Sequence, residues 1–370
     1  MIPLNDFKRQ WADTREAAMA AFADFGASGW YILGREVAAF EAALANLWGI
    51  PYAVGVASGL DAIELSLKAL GCGRGDKVLT TPISAFATTL AIVKLDAIPV
   101  FADTDERGHI DLDLCRQVLA SRHDIRFFVP VHLYGYPLDM EKLAALARAF
   151  DCAIVEDCAQ SIGASHEDMP TGTAGRIAAT SFYPTKNLGA MGDGGAVLTT
   201  DRDLARRVRM LRDYGQSGKD VHTAVGYNSR LDELHAALLR RVGLEWLPKW
   251  TDARRRNASV YLAGISNPSI ALPRMPVGVR ANWHLFPVWV APERKAHFMQ
   301  WLKDAGITCG EHYPTPIPEQ PVMRDVSFEM ATEIPVAVRL CRSEATLPVH
   351  PYLTEGEVAT VIDACNGWKG

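Results

Sequence analysis

The stretch DAIELSLKALGCGRGDKVLTTP, residues 61–82, decides the fold class of this chain of 370 residues. Ile63, Leu67 and Leu70 recur at helical spacing, so the first ten residues of the stretch are predicted to form a helix with one apolar face. GCGRGD is typical of a turn, and KVLTTP has the short apolar pattern of a strand. A helix that leads through a tight turn into a strand is part of an alternating α/β unit.

The same alternation of apolar runs and helical patterns continues from about residue 53 to residue 200. FFVPVHLYG (127–135) and CAIVEDCAQ (152–160) are short and rich in Val, Ile and Phe, as strands are, and DMEKLAALARAF (139–150) between them has a helical pattern. The alternation predicts an α/β fold in which helices cover both faces of a mostly parallel sheet. Ligands bind beyond the carboxyl ends of such strands, so functional side chains are expected directly after each apolar run.

The remainder of the chain predicts a second, smaller domain. RLDELHAALLRRVGLEWLPKW (230–250) is predicted to be a long helix, with a break at Pro248. Proline is more frequent after this point, and a strand pattern, NWHLFPVWV, is followed by a helix pattern, ERKAHFMQWLKDAG. We therefore predict a large domain over residues 1–247 and a small C-terminal α+β domain over residues 248–370.

Composition and charge argue against several classes of protein. Apolar residues make up 49% of the chain and charged residues 22%, which is ordinary for a globular protein, and the net charge of −5 argues against nucleic acid or an anionic membrane as the main partner. No run approaches the roughly 18 apolar residues of a membrane span, and the N-terminal segment becomes charged too early for a signal peptide. The seven cysteines have neither a disulfide framework nor a metal-ligand spacing. We predict a cytoplasmic protein with no metal site.

The start of the helix in the opening stretch is a candidate anion site. Ser58 precedes Asp61 by three positions, a spacing similar to a capping box. The N–H groups of Gly59 and Leu60 are able to point at an anion at the positive end of the helix. An ordinary capped helix is the alternative. The chain has no strand-linked GxGxxG, so a Rossmann dinucleotide site is not predicted.

Two further candidate sites follow strands. In IVEDCAQ, Asp157 and Gln160 end an apolar run at the ligand-binding edge of the sheet, and an aspartate that caps the next helix is the alternative. SFYPTKNLGAMGDGGAVLTT (181–200) places Lys186 between two strand-like runs, with the hydroxyl of Ser181 nearby and four glycines that permit close backbone approach. Either this lysine is solvated in a hairpin loop, or desolvation lowers its pKa and makes its amine nucleophilic.

A fourth candidate site is GYNSRLDELHAA (226–237), in which Asn228 and Ser229 are helix caps by default. Together the four sites meet the needs of one cofactor, pyridoxal phosphate. This cofactor requires a lysine, an acid for its pyridine nitrogen and a helix N-terminus for its phosphate. It also requires an aromatic side chain against its ring, for which Phe86, after KVLTTP, is the candidate.

The chain resembles the DegT/StrS-type nucleotide-sugar aminotransferases, which are pyridoxal-phosphate enzymes of the aspartate aminotransferase fold. The likeness covers essentially the whole chain and depends on six motifs in order: SGWYILG (28–34), ASGLDAIELSLKALG (57–71), VEDCAQSIGA (155–164), SFYPTKNLGAMGDGGAV (181–197), YNSRLDELHAA (227–237) and GEHYP (310–314). It implies a large domain with a mostly parallel seven-stranded sheet between helices, and a smaller C-terminal α+β domain.

The resemblance also implies roles for individual residues. Lys186 corresponds to the Schiff-base lysine, Asp157 to the partner of the pyridinium nitrogen, and Gln160 to the residue beside the phenolic oxygen. The implied cofactor-binding residues are Gly59, Leu60, Phe86, Asp157, Gln160, Ser181, Lys186 and Asn228. Asn228 is expected to reach the phosphate of the neighbouring subunit, which implies a homodimer with shared active sites. The family usually has threonine or a similar residue in place of Leu60, so only a backbone contact is expected there.

The substrates are expected to contact eight residues. These are Trp30, Tyr31, Tyr183, Lys219, His222, Arg230, His312 and Tyr313. Trp30 and Tyr31 are expected to line the sugar site across the subunit interface. The three basic residues near Asn228 are expected to supply cations for the nucleotide diphosphate, and a solvated loop is the alternative for them.

The implied reaction transfers an amino group from an amino acid, glutamate by resemblance, to a ketosugar nucleotide. The motifs most resemble those of enzymes that act at C3 of a dTDP-linked 3-keto-6-deoxyhexose. The alternatives are amination at C4 of a dTDP-, UDP- or GDP-linked 4-keto-6-deoxyhexose, or at C3 of a UDP-linked acetamido uronate. A regulatory protein that binds the cofactor without turnover is a different class, and the presence of Lys186 argues against it.

Overall fold

The computed structural model describes all 370 residues of the protein. Its α-helices are α1 (Phe7–Ser28), α2 (Arg35–Trp48), α3 (Gly59–Ala69), α4 (Phe86–Val93), α5 (Leu112–Ser121), α6 (Met140–Ala149), α7 (Arg202–Leu211), α8 (Glu233–Leu238), α9 (Leu244–Gly264), α10 (Lys295–Asp304), α11 (Pro335–Ser343) and α12 (Glu355–Gly367). Its strands are β1 (Tyr52–Val56), β2 (Lys77–Thr80), β3 (Ile98–Phe101), β4 (Ile125–Val129), β5 (Ala153–Asp157), β6 (Ser165–His166), β7 (Met169–Pro170), β8 (Ile177–Ser181), β9 (Gly195–Thr199), β10 (Gln216–Gly218), β11 (Val221–His222), β12 (Val279–Arg280), β13 (Phe286–Trp289), β14 (Glu329–Met330) and β15 (Glu344–Leu347).

Eight strands form the central sheet, in the order β1-β9-β8-β5-β4-β2-β3-β14. Every pairing from β8 to β14 is parallel, and β9 is antiparallel to both of its neighbours. The prediction of an α/β fold with a mostly parallel sheet is confirmed. The sheet has one strand more than the seven expected, because β14 from the C-terminal region pairs with β3 at the edge. A strand of two residues is too short to leave a period-2 pattern in the sequence.

The sheet is buried on both faces because consecutive side chains of a strand point in opposite directions. In β9, Val197 packs into one apolar cluster with residues of α3 and α7, and Leu198 packs into another with residues of α2 and α8. In β5, Val155 belongs to the first of these clusters, and Ile154 packs with residues of α5 and α6. The continuous apolar strands of the sequence are explained by this two-sided burial.

Two strand boundaries differ from the prediction. The strand expected over residues 127–135 ends at Val129, and a short 3₁₀ helix follows at Leu133–Gly135. Pro130 has no N–H to continue the ladder, and the positive φ of Tyr134 (61°) turns the chain out of the extended conformation. The strand expected in the smaller domain over NWHLFPVWV (282–290) begins only at Phe286 and ends at Trp289.

The predicted helix break at Pro248 is wrong. A π-helical turn, Leu239–Gly243, joins α8 to α9, and α9 continues through Pro248 to Gly264. Proline removes only one backbone hydrogen bond here, and it lies near the start of α9, where buried Leu247 and Trp250 hold the helix in place on either side. Tertiary packing therefore outweighs the local helix-breaking tendency of proline.

The C-terminal part of the chain has its own apolar cluster. β13 and β15 form an antiparallel pair, and their buried residues pack with α10, α11, α12 and the second half of α9. In α9, Leu247 belongs to a cluster of the central sheet, whereas Tyr261 belongs to this C-terminal cluster. One helix thus spans both cores, and the boundary between residues 247 and 248 stays a prediction. No helix of the protein combines the length and apolarity needed to cross a membrane.

Candidate active site

A cavity of about 390 Å³ lies at the carboxyl ends of β5 and β8. Its walls come from the first turn of α3, the start of α4, the loop between β8 and β9, and three residues of the C-terminal half. The lining residues are Ser58, Gly59, Leu60, Ile63, Ala85, Ala87, Thr88, Asp157, Ala159, Gln160, Ser181, Tyr183, Thr185, Lys186, Asp193, His284, His312 and Tyr313. The cavity has the location that the parallel sheet predicts for a ligand site.

Lys186 lies in the loop between β8 and β9. The loop is closed at its base by hydrogen bonds from the Phe182 N–H to the Gly194 carbonyl (2.8 Å) and from the Ala190 N–H to the Phe182 carbonyl (2.8 Å). The Lys186 side chain keeps some solvent contact through the cavity, but its ammonium group is surrounded by protein. This burial lowers the pKa of Lys186 to about 8, against the opposing attraction of Asp157. A neutral, nucleophilic amine is therefore accessible near neutral pH.

Asp157 is the last residue of β5 and is only 3% exposed. Its carboxylate accepts hydrogen bonds from the Thr88 hydroxyl (2.8 Å) and from the Ala159 N–H (3.0 Å). Burial raises the pKa of Asp157, while these two donors and the Lys186 ammonium oppose the rise. A cationic partner in the cavity would stabilise the ionised carboxylate further.

The first turn of α3 faces the end of β8. The Ser58 hydroxyl accepts a hydrogen bond from the Asp61 N–H (3.1 Å), which confirms the predicted helix cap. A Cβ atom on Gly59 would lie 2.6 Å from Cβ of Ser181, so only glycine allows the two segments to approach this closely. The free N–H groups of the first turn and the Ser181 hydroxyl therefore border the same end of the cavity.

Gln160 connects the cavity to the C-terminal half of the chain. Its side-chain oxygen accepts a hydrogen bond from the Tyr134 N–H (2.6 Å), and its amide nitrogen donates to the Tyr313 hydroxyl (3.4 Å). Its backbone carbonyl accepts from the Asn282 side chain (2.9 Å). These contacts hold Tyr313 at the wall of the cavity.

His312 is oriented by a buried glutamate. Glu344 accepts hydrogen bonds from the His312 N–H (2.7 Å) and from the Thr346 hydroxyl, whose oxygen lies 2.8 Å from Nδ1 of His312. When Glu344 is ionised, the Thr346 proton points at it, so Nδ1 of His312 carries the ring proton and Nε2 is left as an acceptor. Burial lowers the pKa of His312 to about 4, which keeps the ring neutral, and raises the pKa of Glu344 to about 7.

Phe86 is predicted to stack on the cofactor ring, but its side chain does not line the cavity. Its half-buried side chain packs against the small apolar cluster of Phe101, Ile317 and Met323. Its neighbours Ala85 and Ala87 do line the cavity. A stacking role for Phe86 stays a prediction.

The remaining predicted residues lie outside the cavity of their own chain. Asn228 is exposed, and Arg230 is engaged by Asp213, whose carboxylate is 3.2 Å from its guanidinium. His222 lies on β11, and Lys219 lies in the hairpin that joins β10 to β11. Within one chain, these four residues do not join the cavity.

Trp30 and Tyr31 also stay on the surface. They follow α1 and are 64% and 52% exposed. The Trp30 indole donates a hydrogen bond to the Ile32 carbonyl (2.7 Å), and the Tyr31 ring packs on Phe25, with 4.9 Å between the ring centroids. Both rings are therefore open to a partner molecule at this surface.

Two residues of the cavity wall, Thr88 and His284, lie outside the patterns that predict the site. Thr88 and His284 line the cavity, and Asn187 Oδ1 lies 3.2 Å from the His284 ring. Thr88 lies inside the apolar helix α4, and His284 lies just before β13, so neither follows a predicted strand end. Only the tertiary structure brings them to Asp157 and Lys186.

Comparison with known proteins identifies the family. The model of the DegT/DnrJ/EryC1/StrS aminotransferase family matches residues 12–366. The chain belongs to this family. It is 39% identical over 368 residues to the dTDP-3-amino-3,4,6-trideoxy-alpha-D-glucose transaminase of Streptomyces venezuelae, covering 99% of this chain and 96% of that one. It is 40% identical over 363 residues to the erythromycin biosynthesis sensory transduction protein EryC1 of Saccharopolyspora erythraea, covering 98% of both chains.

A solved structure gives the same result for the fold. The crystal structure of S. venezuelae DesV, described as a complex with a ketimine intermediate, superposes with a TM-score of 0.94 at 39% identity, covering 99% of this chain and 98% of that one. The protein is a pyridoxal-phosphate-dependent aminotransferase with the predicted fold.

The residues of the cavity fit pyridoxal phosphate. Lys186 offers an amine with a lowered pKa, and Asp157 offers a buried carboxylate that lacks a cation in hydrogen-bond contact. The close approach of Gly59 and Ser181 forms a polar end suited to a phosphate, because an N-terminal helix turn attracts anions. The acid, the amine and the anion-binding end are three of the four features that the cofactor requires, the fourth being an aromatic side chain against its ring.

Proposed function

We propose that the protein transfers the amino group of an amino acid, L-glutamate, to the keto carbon of a nucleotide-linked sugar. The preferred substrate is a dTDP-linked 3-keto-6-deoxyhexose, aminated at C3. The observation that carries the proposal is the meeting of Lys186 and Asp157 in one cavity, where each alters the pKa of the other. The S. venezuelae relative, named as a dTDP-3-amino-sugar transaminase, supports the choice of substrate.

Lys186 is proposed as the group that moves the proton. When bound, pyridoxal phosphate supplies an electrophilic carbon for the amino group and a ring that withdraws electrons from the carbon that loses its proton. The lowered pKa of the Lys186 amine makes its neutral form available as a base, and the same group then returns the proton as an acid.

Asp157 is proposed to keep the pyridine nitrogen protonated. The hydroxyl of Thr88 and the N–H of Ala159 fix the carboxylate at the end of β5, so it does not have to reorganise. The Ser84 hydroxyl, 2.8 Å from that of Thr88, supports the arrangement from behind. The first turn of α3 and Ser181 are proposed to bind the phosphate, and Gln160 to lie beside the phenolic oxygen.

We further propose that two copies of the chain share their active sites. The support is that Trp30, Tyr31, Asn228 and Arg230 lie outside the cavity of their own chain. Lys219 and His222 are proposed to bind the diphosphate of the sugar nucleotide in the partner's site, with Tyr183, His312 and Tyr313 contributed by the chain that supplies Lys186. A mixture of Lys186→Ala and Asn228→Asp subunits tests this idea, because a mixed dimer would contain one intact composite site. No recovery of activity on mixing would contradict it.

Amino transfer to a panel of sugar nucleotides tests the function. We expect the protein loaded with pyridoxal phosphate to form 2-oxoglutarate from L-glutamate when a dTDP-linked 3-keto-6-deoxyhexose is present. The control acceptors are 4-keto-6-deoxyhexoses linked to dTDP, UDP or GDP, and a UDP-linked 3-keto acetamido uronate. A preference for a control acceptor would correct the substrate, and turnover with none would favour a regulatory protein.

A further inference from the structure

A buried arginine lies in α9 without a carboxylate partner. Arg254 is 5% exposed, and its guanidinium donates only to the carbonyls of Trp283 (3.4 Å) and His284 (3.2 Å). Its Nε has no hydrogen-bond partner. Burial alone lowers the pKa of Arg254 to about 10, and no carboxylate opposes the change. The side chain is therefore still a cation at neutral pH. An uncompensated buried charge is costly, and an anion in contact with it would offset that cost.

Another buried arginine of the chain provides a contrast. Arg212 is 8% exposed, and its guanidinium lies 2.5 Å from the Glu41 carboxylate and donates to the Gly55 carbonyl (2.7 Å). The charge of Arg212 is paired within the protein, as expected of a structural ion pair, although its Nε, like that of Arg254, has no hydrogen-bond partner. Arg254 has the burial of Arg212 without its counter-ion.

Arg254 borders two small cavities beside the proposed active site. One, of about 80 Å³, is also lined by Asn5, Thr185, His284 and His312. The other, of about 20 Å³, is lined by Lys186 as well. Since Thr185, His284 and His312 also line the cavity at the strand ends, these spaces adjoin the region where the reaction is proposed to occur.

The charges around the two cavities favour an anion. His312 and His350 are neutral, because burial lowers the pKa of each to about 4, and Nε2 of the buried His350 has no hydrogen-bond partner. Burial likewise keeps His284 neutral. The one acidic residue in the lining, Asp6, caps α1 by accepting from the Arg9 N–H (3.0 Å). Arg254 and Lys186 are thus the cations of this region.

We propose that Arg254 binds a carboxylate of the amino-acid donor. The inference rests on the proposed function, since it takes the donor from that reaction. The amino group of the donor must reach the cofactor beside Lys186, and the donor's carboxylate then needs a cation close by. A guanidinium offers a planar pair of donors that matches a carboxylate. A space of about 80 Å³ admits a carboxylate but not a sugar nucleotide, so the site belongs to the donor.

Separate measurement of the two halves of the reaction tests the assignment. In Arg254→Gln, we expect the concentration of L-glutamate that half-saturates amino transfer to the cofactor to rise by about 10- to 100-fold, as for loss of a charged hydrogen-bond partner. Transfer from the aminated cofactor to the ketosugar should keep its KM. Arg254→Lys keeps the positive charge but loses the paired N–H donors of the guanidinium. Its half-saturating concentration of L-glutamate should therefore lie between those of the wild type and Arg254→Gln.

Arg255→Gln is the matched control. Arg255 lies next to Arg254 on α9, but its guanidinium donates to the carbonyls of Ala281 (3.0 Å) and Gly163 (3.2 Å) outside these cavities. We expect this variant to keep the glutamate dependence of the wild type. Equal losses in both half-reactions of Arg254→Gln, or the same change in Arg255→Gln, would overturn the assignment in favour of a structural role.

A binding measurement keeps the test independent of turnover. Glutarate, a dicarboxylate without an amino group, should bind the cofactor-loaded protein in a calorimetric titration, and Arg254→Gln should weaken it by about tenfold or more. Comparison of 4-aminobutyrate with L-norvaline identifies the carboxylate, because the first lacks the α-carboxylate and the second lacks the side-chain one. If Arg254 binds the α-carboxylate, Arg254→Gln should weaken the binding of L-norvaline. If it binds the side-chain carboxylate, the variant should weaken the binding of 4-aminobutyrate.

The outcomes separate the two proposals. Wild-type protein that accepts no amino acid would refute the proposed function, even if glutarate binding depended on Arg254. Wild-type protein that uses L-glutamate, with glutarate binding absent or unchanged in Arg254→Gln, would refute only the assignment of Arg254.

Discussion

Glu156 and Asp157 are adjacent acids at the end of β5 with opposite surroundings. Glu156 is 0% exposed and accepts hydrogen bonds from the N–H groups of Gly172 (2.8 Å), Ala174 (2.8 Å) and Gly175 (2.6 Å). Its carboxylate is also 2.9 Å from the His132 ring, whose other nitrogen accepts from the Leu138 N–H. The hydrogen-bonding capacity of Glu156 is thus used within the protein.

Asp157 points to the other side of the strand and retains unused capacity. It has two donors, lines a cavity and lies close enough to Lys186 for the two charges to interact. Consecutive strand residues face opposite ways, so one position along β5 separates a structural acid from the acid that we propose to be catalytic. Incomplete pairing, more than burial, therefore distinguishes Asp157, the proposed catalytic acid, from Glu156.

Among the changes on the Asp157 side of β5, removal of Lys186 should have the largest effect on activity. We expect Lys186→Ala to lower amino transfer by at least about 10⁴-fold, the upper range for loss of a positioned proton-transfer group. The thermal midpoint of the cofactor-free protein should not fall, because burial disfavours the Lys186 ammonium and the fold loses no stabilising charge with it. Steady-state kinetics and a thermal melt check the two expectations. Retained turnover would place the chemistry elsewhere.

Asp157→Asn should have the next largest effect. An amide cannot hold the pyridine nitrogen protonated, and loss of a charge-assisted hydrogen bond costs about 1.5–3 kcal/mol, or about 10- to 100-fold in rate. Cofactor binding, followed by visible absorbance, should persist. A rate within twofold of the wild type would mean that Asp157 serves only as a structural acceptor.

Glu156→Gln should reverse this pattern. Its amide group would face backbone N–H donors with one acceptor oxygen in place of two, so the free energy of unfolding should fall by about 1–3 kcal/mol. The rate per folded molecule should stay within about twofold. Urea unfolding together with kcat measures both. A large loss of kcat with unchanged stability would erase the distinction between the two acids.

The pH dependence of stability should detect the Lys186 amine in the cofactor-free protein. Burial lowers its pKa from the usual 10.5 to about 8, so between these values the unfolded chain binds more protons than the folded one. The stability contribution of the lysine therefore rises with pH across this window. Relative to Lys186→Met, the wild type should gain free energy of unfolding between about pH 8 and pH 10. Parallel pH profiles would contradict the lowered pKa.

The sequence predicts the part of the site that follows strand ends. Asp157, Ser181 and Lys186 come directly after apolar runs, and the carboxyl ends of the strands place them in one cavity. Their chemical roles stay predictions. The alternation of helical and strand patterns likewise predicts the sheet, because the position of each strand depends on the local sequence pattern.

Other features depend on contacts between distant segments and have no local signal. Arg254 reaches the site because α9 continues through Pro248, where the local sequence pattern predicts a break. Glu344 orients His312 only because β15 packs beside it, and β14 joins the sheet through two residues. Tertiary packing determines these positions, so the local sequence pattern does not predict them.

The most direct test of the central claim is the identity of the residue that binds the cofactor. The protein loaded with pyridoxal phosphate would be treated with borohydride, digested and examined by peptide mass spectrometry. We predict one pyridoxyl phosphate group per chain, attached to Lys186 within SFYPTKNLGAMGDGG. Attachment to a different lysine, or none at all under conditions in which the protein is active, would contradict it.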